Sequence, residues 1–255
     1  MSNKQRPTIV FQSMRYEEEI ELLSDFLYTS MCEHSLINIT LFDKYPKLLN
    51  QFSKDSNYTD IYNFCYTYLK EDFDNNLQSI EQKIKNFQNM VTSDIIELLI
   101  VIAGKFETYW KNTCITVKVG NVAFCPRWII NNSFYIPSYI ENFLEVLLHE
   151  SCHFVFFQKL LEINPNYSFD KFEYPNLEWI LSELLIDIIL RNNLFESKTH
   201  STIKAYDEFY QIKINGVNLI DCIKNIYNQQ LSFEVKLQKS LSFLSFHKEL
   251  ILNRI

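Results

Sequence analysis

The sequence predicts a helix-rich α+β fold with a small, mainly antiparallel sheet. Only three glycines occur in 255 residues while 47% are hydrophobic, a composition that favours packed helices over disorder. Two strongly apolar stretches, 139–161 and 177–190, contain no Gly or Pro and carry apolar residues around most of the helical circumference. Between Cys114 and Pro137 the apolar period shortens to two, the spacing of strands.

Residues 8–12 read as a short strand and Tyr16–Tyr28 as an amphipathic helix. Glu17, Glu18 and Glu19 sit at its positive end and read as a solvated acidic face. Helical patterns continue over Leu41–Phe52, Asp60–Leu69 and about Leu77–Phe87, with a loop at Lys54–Thr59. Asp94 and Glu97 have the spacing of a capping box ahead of an apolar helix that runs to about Trp110. Ile115–Val119, the Gly120-Asn121 pair and Val122–Cys125 predict a hairpin. Arg127–Ile130, a turn at Asn131-Asn132 and Ser133–Ile136 extend it into a meander, in which Pro126 removes a ladder donor. Pro137 ends the last strand, and Ser138 stands as the N-cap of the helix over 139–161. After a loop at Asn164–Ser168, Pro175 starts the helix over 177–190. Further helices are expected at about 199–212, 217–229 and 232–250.

This division suggests an N-terminal helical region (1–92), a core (93–194) and a C-terminal helical region (195–255) that packs as part of one unit. Net charge is −7 and no dense cationic patch with interleaved aromatics occurs, so nucleic acid is not an expected partner. The N-terminus lacks the apolar core of a signal peptide, and Leu98–Ala103 is too short to span a bilayer. A soluble cytoplasmic protein with no membrane partner is expected. The six cysteines are scattered without a Cys-x-x-Cys pair and read as buried thiols. No pattern bears on oligomeric state.

The chemistry concentrates in His149-Glu150-Ser151-Cys152-His153, inside the helix over 139–161. Residues four apart on a helix lie about 40° apart around the axis, so both imidazoles can face one metal ion. Glu150, beside the first histidine, can reach a water at that ion. A hydrolytic zinc site takes three protein ligands and leaves one position for water. The helix over 177–190 offers the third: Glu178, Glu183 and Asp187 interrupt an otherwise apolar face. Glu183 and Asp187 are one turn apart, and a buried carboxylate is costly unless paired or metal-bound. Glu178 is the alternative ligand. Asp187 can orient a ligating imidazole by accepting its hydrogen bond.

His149-Glu-Ser-Cys-His153, followed by Ser182-Glu183-x-x-x-Asp187, resembles the gluzincin branch of the zincin metallopeptidases over residues 93–194. The resemblance implies a zincin-like core and a Zn²⁺ cofactor held by His149, His153 and Glu183. It also implies Glu150 as general base in peptide-bond hydrolysis and Asp187 as the acid behind a ligand. Ser182 stands where the family has Asn. No His-x-x-Gly-x-x-His continuation follows Glu150, which separates the chain from the metzincins. A peptide or protein substrate is implied, pairing along Ser133, Phe134 and Tyr135 as an edge strand, with Tyr206 or Tyr210 as a phenol donor to the oxyanion. The alternatives are a binding or regulatory protein on the same scaffold and a zinc hydrolase of a non-peptide amide.

Overall fold

The computed structural model describes residues 5–32, 45, 47, 51–52 and 56–254. The helix expected over Leu41–Phe52 lies outside the described residues. The chain forms two compact units from interleaved segments: a sheet unit of Ile9–Val91 and Cys114–Glu141, and a helical unit of Met1–Thr8, Thr92–Thr113 and Asn142–Ile255.

The sheet unit contains β1 (Thr8–Ser13), α1 (Tyr16–Cys32), α2 (Tyr58–Met90), β2 (Cys114–Gly120), β3 (Arg127–Trp128) and β4 (Ser133–Pro137). α1 packs on α2 around Ile20, Leu23, Leu27, Ile61 and Cys65. Asn57 caps α2 by accepting from the Asp60 N–H at 3.0 Å. α2 is one 33-residue helix where the sequence predicts two segments with a break between them. Its polar middle has no Gly or Pro to stop it, and the Lys70–Asp74 pair at 2.9 Å supports the exposed face.

The four strands form a mixed sheet in the order β1-β2-β4-β3. β2 runs parallel to β4, with Thr116 opposite Ser133 and Gly120 opposite Pro137, and β3 pairs antiparallel with β4. The mainly antiparallel arrangement and the hairpin at Gly120-Asn121 are therefore corrected, and Val122–Cys125 forms no strand. Buried side chains turn the chain away at this point. The Asn121 N–H donates to Glu19 Oε1 at 3.0 Å and the Val122 N–H to the Tyr135 hydroxyl at 2.5 Å. A Cβ at position 120 would lie 2.1 Å from Glu19 Oε1, so this approach requires glycine. Glu19, expected on a solvated face, is 2% exposed. The turn at Asn131-Asn132 does form, with Asn132 left-handed at φ 49°.

The helical unit contains α3 (Ser93–Lys105), α4 (Phe143–Ile163), α5 (Leu177–Leu190), α6 (Asn193–Thr199), α7 (Asp207–Gln211), a short β5–β6 ribbon (Lys213–Ile214, Val217–Asn218), α8 (Leu219–Tyr227), α9 (Phe233–Phe246) and α10 (Lys248–Leu252). α4 packs against α3 and α5, and α5 also packs against α8 and α9. The capping box does not form: Asp94 pairs with Lys198 at 2.7 Å and Glu97 with Arg6. α4 starts at Phe143 rather than 139, because the Ser138 N–H bonds to Gly120 O at 2.6 Å at the end of the sheet. The segment expected as one helix over 199–212 breaks at His200, whose left-handed φ of 55° closes α6. The helix over 232–250 is split at His247. The β5–β6 turn has Asn215 at φ 50° and Gly216 at φ 82°, and its second strand takes up Val217 and Asn218, so the helix expected over 217–229 starts at Leu219.

Among the described residues no single helix is long and apolar enough to cross a membrane, and no disulfide forms. Cys65 and Cys152 are buried, as expected, whereas Cys114 is exposed.

Candidate metal centre

α4 and α5 are largely buried, and they carry the polar residues of the site on their facing surfaces. α5 is buried at Ile180–Asp187 without interruption. α4 buries Glu150 to Phe157 in the same way. The two helices run antiparallel. Phe157, one turn beyond His153, stacks at 4.4 Å on Phe172, which precedes α5, and Glu183 farther along α5 meets the histidines. Each later turn of α5 thus lies nearer the start of α4.

This packing brings three ligand atoms together. His149 Nε2 and His153 Nε2 are 3.1 Å apart, His153 Nε2 is 3.2 Å from Glu183 Oε1, and His149 Nε2 is 3.6 Å from Glu183 Oε2. Among the described residues they form the one group of three such side chains able to hold a metal ion. The donor atoms of tetrahedral zinc, with bonds of about 2.0–2.1 Å, lie about 3.3 Å from one another. The observed triangle matches that spacing to within a few tenths of an ångström, so its residues fit the ion. His153 and Glu183 side chains are fully buried, while His149 is 23% exposed, which places the open edge of the site at His149. Phe157 stacks nearly parallel to the His153 ring at 6.0 Å and fixes its plane.

Glu183 rather than Glu178 joins the histidines. Glu178 accepts a hydrogen bond from Tyr167 at 3.0 Å, at the other end of α5. Glu150 is 4% exposed within α4. Cys152 is fully buried, and desolvation pushes its thiol well above the ordinary range, with the Glu183 and Glu150 carboxylates adding to the effect. It does not belong to the His149, His153 and Glu183 group.

Asp187 is 5% exposed and lies one turn beyond Glu183. Its carboxylate accepts from the Tyr210 hydroxyl and from Arg191 Nη1 at 3.4 Å. Burial, then the bond to Asp187, pushes the Tyr210 phenol up to about 12. Sequence reasoning missed Arg191. The signal was present in the spacing, since Glu183, Asp187 and Arg191 fall at successive intervals of four along one face. Tyr206 is half exposed and packs beside Trp179 at 6.0 Å.

The expected edge strand is not an edge. β4 lies between β2 and β3, and Ser133, Phe134 and Tyr135 are all buried. The Ser133 hydroxyl donates to Asn131 at 2.6 Å and the Tyr135 hydroxyl accepts from Val122, so all three serve the sheet's interior. A strand paired on both sides has no ladder groups left for a substrate.

No protein-family model, no curated protein and no solved structure matches the chain.

Proposed function

We propose that this chain is a zinc-dependent peptidase of gluzincin type, with α4 and α5 as the centre of a zincin-like core. The observation that carries the reading is the triangle of His149, His153 and Glu183 at zinc-ligand spacing on two antiparallel, buried helices. Three ligands with one edge partly open is the pattern of a hydrolytic site and not of a closed structural one. Bound zinc would supply Lewis acidity, lowering the pKa of a water and polarising a carbonyl.

The chain's own residues do the rest. His149 and His153 present ring nitrogens one turn apart, and buried Glu183 supplies a carboxylate oxygen. Glu150, adjacent to His149 and almost without solvent, takes the proton from the attacking water and returns it to the departing amine. Phe157 and the surrounding apolar residues keep bulk water away from the inner face of the site. A peptide is the proposed substrate, since the arrangement is suited to an acyl carbon whose leaving group needs a proton.

The test is Glu150→Gln. Zinc content is expected to stay near that of the natural chain while cleavage of a broad peptide library falls at least about 100-fold. Full cleavage by the variant would remove Glu150 from the mechanism. Zinc binding without turnover of any peptide or small amide would favour a binding protein instead.

A further inference from the structure

The C-terminal end of the helix that carries Glu183 holds a guanidinium with unused donors. α5 continues past Glu183 for two turns and is closed by Arg191 as its C-cap. Arg191 Nη1 reaches Asp187 at 3.4 Å and the Tyr210 hydroxyl at 3.5 Å, and the guanidinium lies 6.0 Å from the Tyr210 ring centre. Among the described residues Nη2 and Nε make no hydrogen bond, and the side chain is 49% exposed. The group is therefore held on one side and presents a fork of N–H donors on the other. A planar fork matches a carboxylate in two parallel hydrogen bonds, which a lysine cannot reproduce.

A purely structural role accounts for less of this. A cation at the end of a helix offsets the dipole wherever its side chain points. Closing α5 does not require the Tyr210 hydroxyl to bond both the buried Asp187 carboxylate and the arginine. Two further buried carboxylates, Glu150 and Glu183, belong to the adjacent site.

We propose that Arg191, braced by Asp187 and Tyr210, is a specificity-determining residue that binds a carboxylate of the substrate. The proposal rests on the peptidase reading above and narrows it to peptides with a carboxylate close to the scissile bond. Eight residues of helix between Glu183 and Arg191 span about 12 Å, which an extended peptide covers in about four residues. The carboxylate is either the peptide's own C-terminus or an acidic side chain in that interval.

The experiment uses one short peptide in four forms, with a free C-terminal acid or an amide, and with Glu or Gln near that end. Cleavage by the zinc-loaded chain is compared with that of Arg191→Ala and Arg191→Lys. The natural chain is expected to favour the carboxylate form by about tenfold or more in kcat/KM, mainly through KM. The preference should vanish in Arg191→Ala and return in part in Arg191→Lys. The position whose charge sets the preference identifies the carboxylate. Equal rates on charged and neutral forms by the natural chain, or a preference that survives in Arg191→Ala, would overturn the proposal. Equilibrium binding of the same peptides to Glu150→Gln, with and without Arg191→Ala, provides a readout without turnover. If no form is cleaved, the peptidase reading fails. The binding arm then decides the role of Arg191: tighter binding of the charged form that is lost with Arg191→Ala supports it, and equal binding rejects it.

Discussion

Replacing Glu19 by Gln should make the stability of the sheet unit less dependent on pH. Glu19 is 2% exposed, and burial pushes its carboxyl up to about 8 against an ordinary 4.5, with the Asp72 carboxylate contributing in the same direction and the Asn121 N–H opposing it. The folded chain therefore keeps a proton between about pH 4.5 and pH 8 that the unfolded chain has released. A carboxyl shifted upwards in this way contributes its full stability below the unfolded value and loses it as pH rises towards the folded one. At about 1.4 kcal/mol per unit, the loss across this window is on the order of 3–5 kcal/mol, a large share of a domain's stability. Glutamine retains an acceptor for the Asn121 N–H and has no proton to release. Urea unfolding at pH 5, 6.5 and 8.5 measures the difference directly. The variant is expected to gain on the natural chain by several kcal/mol between the first and last of these. Parallel pH profiles for the two would refute the claim that Glu19 is held protonated.

Three further outcomes follow from packing and backbone geometry. Gly120→Ala would drive a methyl group against Glu19 and Tyr135 and should cost about 1–3 kcal/mol, read from the urea midpoint. Gly216→Ala meets nothing within 4 Å, so its cost is the positive φ of 82° alone, about 1 kcal/mol by thermal unfolding. Phe157→Ala removes a fully buried ring stacked on His153 and Phe172 and should cost about 3–5 kcal/mol. It should also weaken zinc binding by freeing the imidazole, measured by competition with a chelating dye.

The candidate site was legible in the sequence because its residues obey local rules. His149 and His153 are one helical turn apart, and Glu183 and Asp187 repeat that interval on an apolar background. Burial of such a background forces two helices together, and the burial of Glu183 follows from its neighbours. The choice between Glu183 and Glu178 was not local. It depends on how α4 and α5 pack, which sets Glu183 beside the two histidines and Glu178 beside Tyr167. The sheet was less legible for the same reason. Gly120-Asn121 has the residue types of a hairpin turn, yet its conformation answers to Glu19, 102 residues away. The pair that does form a hairpin, Asn215-Gly216, has the stronger order of residues, with both in the left-handed region. Strand order was unreadable because a parallel β2–β4 pairing depends on what packs beside it and not on alternation within either strand. α2 shows the converse case, where a polar stretch looks like a break but continues because nothing in it stops a helix.

The central claim is that His149, His153 and Glu183 together hold zinc. It is tested most directly by the metal content and zinc affinity of the natural chain beside Glu183→Gln and Glu178→Gln. One zinc per chain is expected, kept by Glu178→Gln and weakened by at least about 100-fold in Glu183→Gln, with the fold checked by circular dichroism. A folded natural chain that binds no zinc, or a Glu183→Gln variant that binds it undiminished, would contradict the account.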